Sequence, residues 1–409
     1  MSGAQTEQSQ SHSQFSLFEG DLVNRVFAKF HIGGRHPLHI FARMVFVIAV
    51  SWVPMALLAT LTPLPPNPAP SELFFYDFAA YAQFLIGIPL FILAERVVGT
   101  NTLEAARDFA ESGIISAAEK PRLAAIERKL AALRRKLLPD LICILVAMAL
   151  AYMTIGPELV LKTGMKTWHT TLSPGGQAQL TPAGAWEMFV ALPIQIYWWV
   201  RWVWKIALWY WYLAQVSRLR LVLVASHPDH TGGIAFLSEV QAKFSLVILA
   251  YGISNVVATV GYKLAVEHAP VTLPPVWGPV LGFIVLAPIL FLAPLLLFTK
   301  QLHRTKKRAI ALFRAKAMTA ALTVETAWLK TDTDQTQEAV ARQELAQLNL
   351  LTAFHERIHG MRVVPFDIRS AGELIGSAVG PMLPLLPYFV TLPEPWQKIL
   401  EAITEWLPH

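Results

Sequence analysis

The chain has 409 residues, of which 54% are hydrophobic and only 15% charged, with a mean hydropathy of +0.45. Soluble domains carry about 25% charged residues, and the apolar excess here falls in blocks, which excludes an ordinary soluble enzyme and points to a multi-pass membrane protein. The formal net charge of +6 is spread beside those blocks and lacks the dense basic face of a nucleic-acid binder; a lone cysteine, Cys143, leaves no intrachain disulfide and no thiolate metal cluster.

Residues 1–14, rich in Gln, Ser and His, read as disordered. No basic n-region runs into an apolar core, so the first apolar block is expected to stay in the membrane as a signal anchor. In 15–38, Phe15, Leu17, Phe18, Leu22, Val23, Val26, Phe27 and Phe30 recur at helical spacing, which predicts a short amphipathic helix on the membrane surface. Residues 1–39 are thus a tail plus an interfacial helix.

Six spans are expected between 40 and 299, near 40–61, 78–98, 138–155, 186–213, 244–264 and 277–298. A proline-rich loop follows the first. Between the second and third, 99–137 reads as a polar helical hairpin broken around Gly113 and Pro121. Its apolar Leu123, Ile126, Leu130, Leu133 and Leu137 lie among Arg128, Lys129, Arg134, Arg135 and Lys136. Such a basic amphipathic helix suits anionic lipid or a partner helix. Residues 157–184 read as a loop. Residues 300–409 form a cytoplasmic or membrane-associated helical region, with helices over 302–330 and 339–359. The apolar stretch 371–392 is a candidate seventh span or re-entrant segment, interrupted by prolines, and an amphipathic tail follows it.

Charge sets the expected orientation. Loops 63–77, 157–185 and 263–276 hold only Lys162, Lys166 and Lys263, whereas 96–136 holds nine basic residues and 300–316 seven. The positive-inside rule then places the N-terminus and the segments after spans two, four and six in the cytoplasm of a bacterium whose inner membrane the protein crosses. The expected fold is an all-α, polytopic helical bundle with cytoplasmic amphipathic helices.

The fourth span is the best functional pointer. Between Tyr197 and Leu213 it carries six tryptophans, and it holds Arg201 and Lys205 four residues apart, on one helical face. At a helix end these cations would snorkel to the headgroups among an aromatic belt. Deeper in the bundle they would attract an anion or pair with a buried acid. Ser254 and Asn255 on the fifth span would add polar contacts to an ion pathway.

Three compact motifs remain. His355-Glu356-Arg357-Ile358-His359 matches H-E-x-x-H, in which two histidines share a face to bind zinc and the glutamate serves as base. A catalytic zinc needs a third protein ligand, for which Glu373 is the nearest candidate, and Gly360 ends the helix at once. The competing reading is a solvated helix face, with no cofactor. In His227-Pro228-Asp229-His230-Thr231-Gly232-Gly233, Asp229 or Thr231 caps the next helix and Gly232 and Gly233 permit unusual backbone angles; free amides or the His-Asp-His set would otherwise hold an anion or a metal. In Met361-Arg362-Val363-Val364-Pro365-Phe366-Asp367, Pro365 forces extended backbone before it and Asp367 caps a helix. Together the HPD-x-x-GG turn and the MR-x-VPFD motif resemble a pattern in uncharacterised bacterial multi-pass membrane proteins, a likeness that implies no activity.

Function is therefore expected to be a channel or transporter for a small ion, an anion by preference, built as a homo-oligomer in contact with anionic lipids. A membrane scaffold binding a cytoplasmic partner and a membrane zinc metallopeptidase are the alternatives.

Overall fold

The computed structural model describes residues 15–18, 20–34, 36–62, 68, 73–155, 168–172, 178–265, 277–329 and 352–385. The expected disordered tail, most of the 339–359 helix, the end of 371–392 and the amphipathic tail lie outside them.

The protein is an all-α membrane protein: its described residues are 80% helical and include five helices long and apolar enough to cross a membrane. A short helix α1 (Leu22–Lys29), capped by the Asp21 carboxylate, precedes α2 (Pro37–Leu61). Next come α3 (Phe78–Glu111), α4 (Lys120–Arg135) and α5 (Leu137–Ile155). The turn between α3 and α4 falls where Gly113 and Pro121 place it. Beyond α5 the loop expected over 157–184 contains a small antiparallel hairpin, β1 (Thr170–Leu172) with β2 (Ala178–Leu180), its register set by Thr171 opposite Gln179. Pro182–Trp186, Glu187–Ala191 and Leu192–Val216 then run on without a break as α6.

The C-terminal half continues with α7 (Phe236–Ala242) and α8, which is made of Ser245–Tyr251, Gly252–Val257 and Ala258–Ala265. Helix α9 (Gly278–Leu292) passes through a 3-10 stretch at Ala293–Phe298, where Pro294 removes a backbone donor, into α10 (Thr299–Leu329). Residues 352–360 form α11, and α12 (Ile368–Val379) ends in a 3-10 turn at Gly380–Leu385.

Helices α2, α5 and α9 point Leu57, Leu61, Leu145, Met153, Leu286 and Ile289 outward. Such apolar exteriors belong against hydrocarbon. Helix α6 behaves oppositely. Its Trp202, Trp209, Tyr212 and Leu213 are wholly buried, so it is the post around which α3, α4, α5 and the N-terminal segment assemble. The two cations and the Trp, Tyr and Gln content lower its hydropathy, and it is not one of the five spans recognised by length and composition. At about 1.5 Å per residue it is nevertheless long enough to cross.

Small residues let the helices approach closely. A Cβ on Gly87 of α3 would stand 2.6 Å from the Ser254 Cβ of α8, and one on Gly261 would stand 2.7 Å from the Phe78 ring. Both helices carry π-helical turns at this crossing, Tyr81–Gly87 and Gly252–Val257. Helix α12 packs against α7, α8 and α9. With twelve α-helical residues it is about 18 Å long, short of a crossing by itself.

Candidate functional site

The chemistry of the molecule concentrates where α6 meets the N-terminal segment. Arg201 and Lys205 are 0% and 1% exposed. Neither snorkels: both point into the bundle and meet acids. Arg201 Nη2 and Nε donate to Asp21 Oδ2 at 2.7 and 3.1 Å, and its Nη1 donates to Glu95 Oε2 at 3.1 Å. Lys205 Nζ lies 2.9 Å from the same Asp21 oxygen. Trp198 and Phe18 supply ring faces to Arg201, with centroids at 5.0 and 5.9 Å, and Phe18 also faces Lys205.

Local sequence explains how Asp21 comes to be there. As the N-cap of α1 it accepts from the Asn24 backbone on Oδ1, which leaves Oδ2 for the cations. Asn24 ties the cluster together. Its amide donates to Asp21 Oδ1, Phe18 O and Glu95 Oε1 at 3.0, 2.7 and 3.1 Å. Asp140, in the first turn of α5, accepts from Leu22 N at 2.9 Å. Ahead of the cap, Phe15 packs on Trp209 and Tyr212, Phe18 packs on Trp202, and Arg134 donates to Ser16 O. So residues 15–18 and 20–21 do not lie on the membrane surface as the amphipathic pattern suggested. They are tucked into the bundle, and only α1 has the expected two-faced character.

Burial alone would raise the Asp21 carboxyl, but the Arg201 and Lys205 charges hold it well below the usual carboxylate range. Buried charge persists only where it is paired and hydrogen-bonded. Here two cations face two acids, Asp21 and Glu95, at bonding distance, so the four charges sum to zero.

Ser254 and Asn255 stand apart from this cluster. The Ser254 hydroxyl donates to Ala250 O at 2.6 Å, Asn255 donates to Tyr251 O and to Ser254, and Gln195 of α6 approaches Ser254 O at 3.5 Å. Gln195 is fully buried and its Oε1 has no partner among the described residues. It is a polar group inside the helix crossing that sequence inspection passed over.

The two compact motifs meet each other. The Asp229 carboxylate accepts from the amides of Thr231, Gly233 and Ala235 at 2.8, 2.9 and 3.1 Å, with His227 Nδ1 2.8 Å away. The amides that would have held an external anion are thus taken by the turn's own aspartate. Burial would raise that carboxyl, but these amide and imidazole contacts lower it to about 2. His230, Gly232 and Gly233 have φ of 56, 71 and 103°, which glycine adopts at least cost. Arg362 N donates to His230 O at 2.7 Å, joining the second motif to the first, and Asp367 caps α12 while accepting from Ser238 Oγ at 3.0 Å.

His355 and His359 do face one way, ring centroids 4.2 Å apart, and both are exposed. Glu356 is exposed beside them, whereas Glu373 lies on α12, 3.4 Å from Arg369. Among the described residues no group of three His, Cys, Asp or Glu side chains is placed to hold a metal. What holds α11 is Ile358, buried, together with Lys306 Nζ of α10, which donates to His359 O and Met361 O at 2.8 and 2.6 Å.

A second polar cluster joins β1, α3 and α6. Trp168 Nε1 donates to Asp77 Oδ2 at 2.9 Å, and His169 Nε2 lies 2.7 Å from Glu187 Oε2. Sequence inspection missed Asp21, Asn24, Glu95 and this cluster as partners. The only local signals were Asp21 ahead of an amphipathic helix and Glu95 at the end of a span.

Comparison of the chain with protein-family models, with curated proteins and with solved structures finds no match.

Proposed function

We propose that the protein is an oligomeric conduit for small anions in the bacterial cytoplasmic membrane, with its N-terminus in the cytoplasm and its route closed by Asp21. One observation carries the reading. Two fully buried cations on α6 draw their counter-charge from Asp21, which belongs to a segment outside the spans. Asp21 acts as a tethered carboxylate in the place a mobile anion would take. Without it, Arg201 and Lys205 face Glu95 alone and the site carries one net positive charge, the condition that draws an anion into a low-dielectric region. Ser254 and Asn255 serve the route farther along, and the 227–233 turn flanks its cytoplasmic side. The surplus of basic residues in 96–136 and 300–316 supports this orientation.

Anion flux into proteoliposomes tests it. Asp21→Asn is expected to raise flux over the wild type, and adding Lys205→Gln to abolish the rise. Equal flux in wild type, single variant and double variant rejects the proposal.

A further inference from the structure

Beside Glu95 lies a cavity of about 440 Å³ with a mixed polar and apolar wall, between the N-terminal segment, the start of α2 and the middle of α3. Arg43 reaches into it from α2. This side chain is only 7% exposed. Its Nε donates to Ile32 O at 2.9 Å, its Nη2 to Gly34 O at 3.2 Å, and its guanidinium carbon sits 5.0 Å from the Phe27 ring centroid. Among the described residues no carboxylate lies within 4.0 Å of it, and Nη1 donates to none of them. The described carboxylates that act on its charge, Glu95 and Asp21, do so from beyond bonding distance, so the guanidinium held by carbonyls and a ring face has no anion in direct contact among the described residues.

The rest of the cavity wall agrees. Arg96 and His31 are exposed at its rim, and Ser16, Asn24 and Thr100 add polar groups. Among the described residues Glu95 is the one carboxylate in the wall. Both its oxygens are engaged, one by Asn24 and one by Arg201, so its charge is answered from the far side. Gly20, Gly33 and Gly34 line the cavity without side chains. Planar, forked donors match an oxyanion better than a spherical halide. The volume falls in the roughly 300–1,000 Å³ range of small-molecule sites.

We propose that this cavity binds a phosphate-bearing small molecule, with Arg43 as its principal contact and Arg96 at the rim. As the vestibule of the anion route the site rests on the reading above; as a binding site it is tested without any flux. The test uses the full chain purified in detergent and follows thermal stabilisation by inorganic phosphate, glycerol phosphate and a short-chain phosphatidylglycerol. The expected result is saturable stabilisation by a phosphate compound, weakened at least tenfold by Arg43→Gln, partly restored by Arg43→Lys, and reduced by Arg96→Gln. Thr100→Phe, which fills the cavity and leaves the Arg43 bonds in place, is expected to block binding. Stabilisation by glycerol phosphate identifies a free solute as the source, and stabilisation by the lipid alone identifies a headgroup. The proposal is overturned if no phosphate compound stabilises the protein, or if Thr100→Phe and Arg96→Gln bind as the wild type does. Binding without flux would keep the site and reject the route.

Discussion

Asp21 Oδ2 lies 2.7 Å from Arg201 Nη2, although 180 residues separate the two in the chain. Each side chain is 1% exposed. Removing one member of such a pair strands the other charge in a low-dielectric interior at about 3–5 kcal/mol. Asp21→Asn is therefore expected to lower the thermal stability of the detergent-solubilised protein by that order. A double-mutant cycle with Arg201→Met checks it: the double variant should lose clearly less than the sum of the singles, because the second change removes the stranded charge.

How much of this was legible in sequence depends on distance along the chain. The apolar blocks were, because a span is a local run of residues. So was one cap: Asp367 caps α12, whereas Asp229, expected as a cap, binds the amides of its own turn and α7 starts without a side-chain cap. The Arg201–Lys205 spacing announced a shared face but not the acid opposite it. Asp21 was hidden because the 15–30 pattern reads as a surface helix, and period alone cannot tell a membrane face from a bundle face. The β1–β2 hairpin was missed because its strands are three residues long and sit among Gly, Pro and Thr. In HERIH, spacing gave the two histidines correctly, whereas a third ligand is a tertiary matter that no spacing encodes.

Close helix contacts give a second expectation. A Cβ on Gly184 would lie 2.3 Å from His169 O, and one on Gly87 2.6 Å from the Ser254 Cβ, whereas nothing lies within 4 Å of one on Gly282. Gly184→Ala and Gly87→Ala should each cost about 1–3 kcal/mol. Gly282→Ala, inside a helix, should be neutral or stabilising by about 0.5–1 kcal/mol. Thermal midpoints of the three variants in one detergent decide this.

Glu127 of α4 gives a pH dependence. Burial without a compensating cation raises its carboxyl from 4.5 to about 7. The folded state then holds this proton more tightly than the unfolded chain, so folding is opposed once pH exceeds the unfolded value, and the penalty grows until pH passes about 7. Stability should fall over that window, and Glu127→Gln should flatten the fall and exceed the wild type at pH about 8. A variant whose stability tracks the wild type throughout would contradict the assignment.

The Asp229 turn behaves with the opposite sign. A carboxylate lowered to about 2 stabilises above its unfolded value near 4, and the contribution is lost as pH drops toward 2. Asp229→Ala removes bonds to three amides and should cost about 1–2 kcal/mol, as strong caps do. Because Arg362 N donates to His230 O, amide hydrogen exchange at Arg362 should accelerate in the variant together with exchange at Gly233.

The placement of Asp21 also bears on how the chain is made. Synthesis runs at about 5–20 residues per second, so Asp21 and Glu95 leave the ribosome well before the α6 cations, Asp21 by roughly 10–35 s. A helix bearing two bare cations partitions poorly into lipid, at about 2.5–3.5 kcal/mol for each. When α6 reaches the translocon, both its neutralising acids already exist. Biogenesis of the centre thus proceeds acids first, and a chain lacking Asp21 should show its defect at the insertion of α6.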